Sequence, residues 1–206
     1  MAVLLIRTLI LAAALVAGPV AAQQGTPPPT TPQAAPPAAM PAPPPTHAEK
    51  LDTLFAALKR QRDADKAREI ADAIRSEWQV SGSASVDLLM QWAAKAVAAS
   101  KQPSALDLYD QVIALDPTYV EGWNQRATLH YQMGNYRKSM SDINQVLALE
   151  PRHFGALAGM AAILSASGED ALALKAWERF LAVYPAERKA QEQLGEIEEK
   201  LAGNRT

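Results

Sequence analysis

The 206-residue chain contains no cysteine, which excludes a disulfide framework, a thiol nucleophile, an iron–sulfur cluster and any cysteine-based zinc site. Histidine is scarce as well. His47, His130 and His153 stand far apart, with none of the close pairings that a helix-borne metal site uses. No metal and no other cofactor is therefore expected. The motifs of common catalytic sites are missing too: there is no GxSxG, no phosphate-binding P-loop, no GxGxxG, and no carboxylate pair beyond solvated helix faces. The formal charge is only −2, and Lys and Arg are scattered, so nothing offers the basic surface that holds nucleic acid. The expectation is a chain without catalytic residues and without a nucleic-acid partner.

The N-terminus carries an apolar run of its own. Residues 1–22, MAVLLIRTLILAAALVAGPVAA, place Arg7 before an apolar run from Leu9 to Ala17, followed by Gly18, Pro19 and a small-residue end. This is the layout of a cleavable secretory leader, and the run is short for a bilayer-spanning helix. Export to the periplasm or beyond is expected, with cleavage after Ala22 and no stable membrane insertion afterwards. An uncleaved anchor is the alternative. Residues 23–46 then hold ten prolines and no charge. Proline removes amide donors and biases the backbone to polyproline II, so this stretch reads as a disordered linker that joins neither a helix nor a sheet.

Beyond the linker only four prolines remain, and Pro117, Pro151 and Pro185 recur at a spacing of 34. The same period brings Ala93, Ala127 and Ala161 into one register, Ala105, Ser139 and Ala173 into a second, and Val112, Val146 and Phe180 into a third. A small residue on each of two antiparallel helices lets them approach closely, while bulky neighbours fill the space on either side. Gly134 and Gly168 suit the turn between the helices of a pair. The equivalent place in the first unit carries Ser100-Lys101-Gln102 and Pro103, which predicts an altered turn there.

This pattern resembles the tetratricopeptide repeat (TPR), a 34-residue helix–turn–helix. The resemblance implies an all-α, right-handed solenoid of antiparallel helix pairs, with units at 86–119, 120–153 and 154–187 and a capping helix and tail at 188–206. Residues 47–85 read as a divergent N-terminal helical hairpin or repeat, with Ala71 at the small position. The capping helix carries dense Glu and Lys, as an end that meets water should. The four tryptophans, Trp78, Trp92, Trp123 and Trp177, fall on interior positions of the register and are expected to pack in the core.

In this family the first helices line a concave groove that takes a peptide or helix. The positions implied to face it are Asp87, Met90, Ala94 and Val97, then Glu121, Asn124, Thr128 and Tyr131, then Gly155, Ala158, Ala162 and Ser165. The capping helix adds Lys189, Glu192, Glu196 and Glu199. None of the three full units carries a cation there, so a clamp of Lys and Arg on a peptide's terminal carboxylate is not expected. The resemblance thus implies a monomeric protein-binding scaffold or assembly factor of the kind formed by small exported TPR proteins of Gram-negative bacteria, its partner an unidentified protein or peptide. A self-assembling structural protein, or an exported enzyme or metal carrier, is the alternative.

One stretch, WNQRATLHY at 123–131, sets Arg126 and His130 one turn apart. Helical spacing puts Trp123, Arg126, Ala127 and His130 on one stripe and Asn124, Thr128 and Tyr131 on the other. Arg126 and His130 are accordingly expected on the packing side, with Asp110 as the partner of Arg126.

Overall fold

The computed structural model describes residues 45–203. The predicted leader, nearly all of the linker and the last three residues lie outside them. The described residues form helices only: α1 (His47–Arg60), α2 (Ala64–Trp78), α3 (Ala84–Ala98), α4 (Gln102–Leu115), α5 (Val120–Gln132), α6 (Tyr136–Leu149), α7 (Phe154–Ala166), α8 (Asp170–Val183) and α9 (Arg188–Gly203). No helix among them is long and apolar enough to cross a membrane.

Helices α3/α4, α5/α6 and α7/α8 are antiparallel pairs, and each pair packs on the next, with α9 closing on α8. The small-residue register explains the close approach. Ala93, Ala105, Ser139, Ala161 and Ala173 are fully buried and Ala127 nearly so. Ser139 is tolerated in this core because its hydroxyl donates to the Ala127 carbonyl at 2.8 Å, leaving no unpaired polar atom. Val112 and Val146 fill the space beside these crossings with no exposed surface.

The turns repeat as well. Gly134 and Gly168 both take the left-handed conformation, at φ 72° and 76°. Their amides and those of the next residues bond back to the ending helix, Gly134 N to Tyr131 O and Asn135 N to His130 O, Gly168 N to Ser165 O and Glu169 N to Leu164 O. The first turn was expected to differ, and it does not. Ser100 adopts φ 56°, with Ser100 N bonded to Val97 O and Lys101 N to Ala96 O in the same pattern. The paired backbone bonds hold a non-glycine residue in a conformation that costs it about 1 kcal/mol.

The N-terminal hairpin does not extend the stack in front of α3. It lies instead along the row of junctions that link one pair to the next. At one end, the Tyr119 hydroxyl, from the residue capping α5, donates to Gln79 O at 3.1 Å. In the middle, Trp78 stacks on His153, which caps α7, with ring centroids 3.9 Å apart, and it tilts against Phe154 at 5.0 Å. Arg75 lies over Phe154. Arg152 lies 4.2 Å over Phe55 while pairing with Asp52 and Glu150. At the far end, Ala64, Asp65 and Arg68 share a recess with Tyr184, Glu187 and Arg188. Leu51, Phe55, Leu58, Ala71, Ile74 and Trp78 join Phe154, Leu157, Phe180 and Tyr184 in one core.

This placement corrects one expectation about the tryptophans. Trp78 is buried, and Trp123 and Trp177 are partly buried against the same core, but Trp92 is 48% exposed and Leu88, one turn before it, 44%. Their positions in the register are interior only when another helix pair precedes them. The hairpin that stands before α3 in the chain packs elsewhere, so the outer stripe of α3 stays uncovered.

Candidate functional site

Two recesses flank α5. The first is a cavity of about 410 Å³ lined by Gln79, Asp87, Met90, Gln91, Ala94, Tyr109, Tyr119, Glu121 and Gln125. It draws on α3, α4, α5 and the end of α2. The second, of about 470 Å³, is lined by Pro103, Leu106, Asp107, Asp110, Arg126, His130, Lys138, Ser141 and Asp142.

The second recess holds the polar pair of WNQRATLHY, and its charges are already satisfied. Arg126 makes a forked contact with Asp142, Nε to Oδ2 at 2.9 Å and Nη2 to Oδ1 at 2.7 Å, and reaches Asp110 at 2.6 Å. Its guanidinium also lies 5.0 Å over the Trp123 ring. Arg126 is thus on the packing side, paired with the expected Asp110 and with a second carboxylate one helix further on. The Asp142 bond, followed by that to Asp110, holds the guanidinium pKa above its ordinary value. His130 is buried and its Nδ1 has no hydrogen-bond partner among the described residues; the same burial pushes its pKa below the ordinary imidazole value. Among the described residues no three His, Asp or Glu side chains are placed to hold a metal ion.

The first recess overlaps the stripe expected to face the groove. Asp87, Met90, Ala94 and Glu121 line it together. Of the remaining groove positions, Thr128, Tyr131 and Gly155 are exposed, Asn124, Ala158, Ala162 and Ser165 are half-buried, and Val97 packs partly into the core beside Ala93. Tyr131 leans on Tyr136, with centroids 5.5 Å apart. The Thr128 hydroxyl donates to the Asn124 carbonyl.

Glu121 departs from the expected open position. It is only 6% exposed, held from above by Asn124 Nδ2 at 3.2 Å to each carboxylate oxygen and by Gln125 Nε2. Below it, His153 Nδ1 accepts the Ala156 amide at 3.1 Å and so caps α7. The ring's proton therefore sits on Nε2, 3.5 Å from Glu121 Oε2. Asp87 accepts from the Ser81 hydroxyl. The two carboxylates leave an electrostatic trace on the neighbouring tyrosines. Burial, reinforced by Glu121, raises the Tyr109 pKa, and burial with Glu121, Asp87 and Asp116 raises that of Tyr119 further.

Reading the register from the sequence missed Gln79, Gln91, Gln125, Tyr109 and Tyr119 as parts of this recess. Tyr119 and His153 occupy the same place in successive 34-residue units, each capping a first helix, and that recurrence was visible in the sequence. Gln79 was not accessible in this way, because only the folding back of the hairpin brings it here.

The comparisons with known proteins agree with this architecture. A tetratricopeptide-repeat model matches residues 108–140. A TPR repeat-containing protein of Rhizobium etli is 65% identical over 158 residues, which is 77% of this chain and 78% of that protein. Among solved structures, the first TPR of Spaghetti bound to the HSP90 peptide SRMEEVD is similar with a TM-score of 0.54 at 25% identity, covering 57% of this chain and 93% of that one. MamA is similar in fold, with a TM-score of 0.52 at 15% identity, covering 74% of this chain and 82% of that one.

Proposed function

Because the chain belongs to the tetratricopeptide-repeat family, we propose that it is a non-catalytic scaffold that binds a peptide or helix of a partner protein along the first helices α3, α5 and α7. The observation that carries this reading is the contrast between the faces of those helices. The starts of α5 and α7, at the junctions, are covered by the N-terminal hairpin, whereas Ala94, Thr128 and Tyr131 remain exposed on the groove stripe. Small side chains at Ala94, Gly155, Ala158 and Ala162 permit close approach of a partner backbone. The similarity to a TPR structure that holds a peptide supports the same reading. The peptide in that structure is acidic, and Asp87 and Glu121 in the groove of this chain would repel such a ligand.

The test is a pull-down from envelope extract with the wild type and with Asn124→Ala/Tyr131→Ala. Loss of a specific partner in the double variant is expected, and a partner retained equally by both overturns the groove assignment. The proposal places the protein in the cell envelope on the layout of residues 1–22. Fractionation of the native host checks it, and full-length precursor confined to the cytosol rejects it. The proposal also has the chain acting as a monomer, on the strength of the charged α9 at one end of the array. Self-association is the rival reading, favoured by the uncovered Leu88 and Trp92 at the other end. Sedimentation over a range of concentrations separates the two, since dimers that dissociate in a Trp92→Ala variant would establish the rival.

A further inference from the structure

The recess between α3 and α5 contains two carboxylates and several neutral acceptors, and none of its lining residues is Lys, Arg or His. Glu121 is held by side-chain amides, and the nearest ring nitrogen, His153 Nε2, stands 3.5 Å away, too far for a close hydrogen bond. Among the described residues the Asp87 carboxylate meets only the Ser81 hydroxyl. This half-buried carboxylate and the buried one of Glu121 thus face a common space without a cation between them. Elsewhere in the fold a buried carboxylate is matched by a guanidinium: Asp142 has Arg126 and Glu150 has Arg152.

A second feature points into the same space. Tyr109 is only 3% exposed, it lines the cavity, and its hydroxyl makes no hydrogen bond among the described residues. It is not sealed off from solvent, unlike the unpaired nitrogens of Trp78 and Trp177, so the hydroxyl opens on the recess. A buried phenol without a protein partner beside two uncompensated carboxylates is an arrangement that a donor-rich cation completes.

We infer that this recess is a subsite for the guanidinium of an arginine side chain carried by the partner, which rests on the groove reading above and specifies its ligand. A guanidinium brings five donors in one plane, enough for Asp87, Glu121 and Tyr109 together, whereas an ammonium is a compact point charge that is more costly to dehydrate. The methylenes of an arginine stem suit the apolar lining that Met90 and Ala94 supply.

The experiment titrates the full chain with the blocked tripeptide acetyl-Gly-Arg-Gly-amide, followed by amide chemical shifts, alongside counterparts carrying citrulline, lysine or glutamate. The arginine peptide is expected to shift amides around Asp87, Gln91 and Glu121 along a saturating curve. The citrulline peptide, alike in shape but uncharged, should bind roughly tenfold or more weakly, since charge-assisted bonds are about twice as strong as neutral ones. Asp87→Asn, Glu121→Gln and Tyr109→Phe should each weaken the arginine peptide. Should Glu121→Gln fail to fold, the wild-type ratio of arginine to citrulline decides alone. Equal binding of citrulline, equal binding of lysine, or shifts confined to other helices would overturn the assignment. The groove reading fails separately. A partner lost from Asn124→Ala/Tyr131→Ala with no arginine preference leaves the groove standing and removes the subsite. Arginine binding here with a partner indifferent to that double variant does the reverse.

Discussion

Trp78 and Trp92 sit on two apolar edges of the same array with opposite fates. Trp78 lies on the junction row, stacked on His153 and walled by Phe55 and Phe154, at 5% exposure. Trp92 lies on the outer stripe of α3, with nearly half its surface open. Both hold positions that a 34-residue register marks as interior. The difference shows that a repeat position states which neighbour a side chain needs, and that only the fold decides whether the neighbour is present. One helical hairpin can cover one edge. Here it covers the junction row, where it buries aromatic rings and pairs Arg152 with Asp52 across about a hundred residues of sequence.

The strongest way to break this comparison is Trp78→Ala. It should cost about 3–5 kcal/mol of global stability in urea unfolding, the range for deleting a large buried ring. A loss under about 1 kcal/mol would mean that the hairpin is not part of the cooperative unit. Next comes Arg152→Ala. It uncovers Phe55 and removes the forked partner of Glu150, itself only 8% exposed, so a loss of about 2 kcal/mol is expected. The companion Asp52→Asn touches a carboxylate that is 68% exposed and should change stability by less than about 1 kcal/mol. A smaller effect of opposite sign tests the open end. Ser100→Gly relieves the left-handed strain at φ 56° and should raise stability by about 0.5–1 kcal/mol, read as a higher urea midpoint at unchanged slope. The smallest is Trp92→Ala, expected within about 0.5 kcal/mol of wild type because the ring has little packing to lose. A cost near that of Trp78→Ala would show the α3 stripe to be covered in solution, by a second copy or by a bound partner.

The candidate site divides along the same line. The stripe containing Asn124, Thr128 and Tyr131 follows from helical spacing, and so does the placing of Arg126 away from it. The pairing of Arg126 with Asp110 is legible in the sequence because the two residues face each other across adjacent helices of the 34-residue register. Asp142, which makes the forked contact, lies on α6 at the same sequence distance from Arg126, and nothing local distinguishes it from Asp110. Glu121 was read as a groove residue, yet it is buried under Asn124 and Gln125. A side chain at the start of a helix answers to whatever packs on that end, and here that is His153 and the returning hairpin.

What the sequence by itself determined is the helix pair and its repetition. Small residues, caps and turns act over a few residues and recur every 34, so their physical demands are local and can be read in order along the chain. Ser100 shows how firm this local logic is, since the two backbone bonds of the turn hold it in place without the glycine. What only the tertiary structure decided is where the hairpin docks, and with it the burial of Trp78, the exposure of Trp92 and the closing of the recess by Gln79. Those outcomes rest on contacts between residues far apart in sequence. The amphipathic faces of α1 and α2 are compatible with more than one apolar surface of the array, and the surface that is covered is the one where rings, guanidinium groups and carboxylates match together.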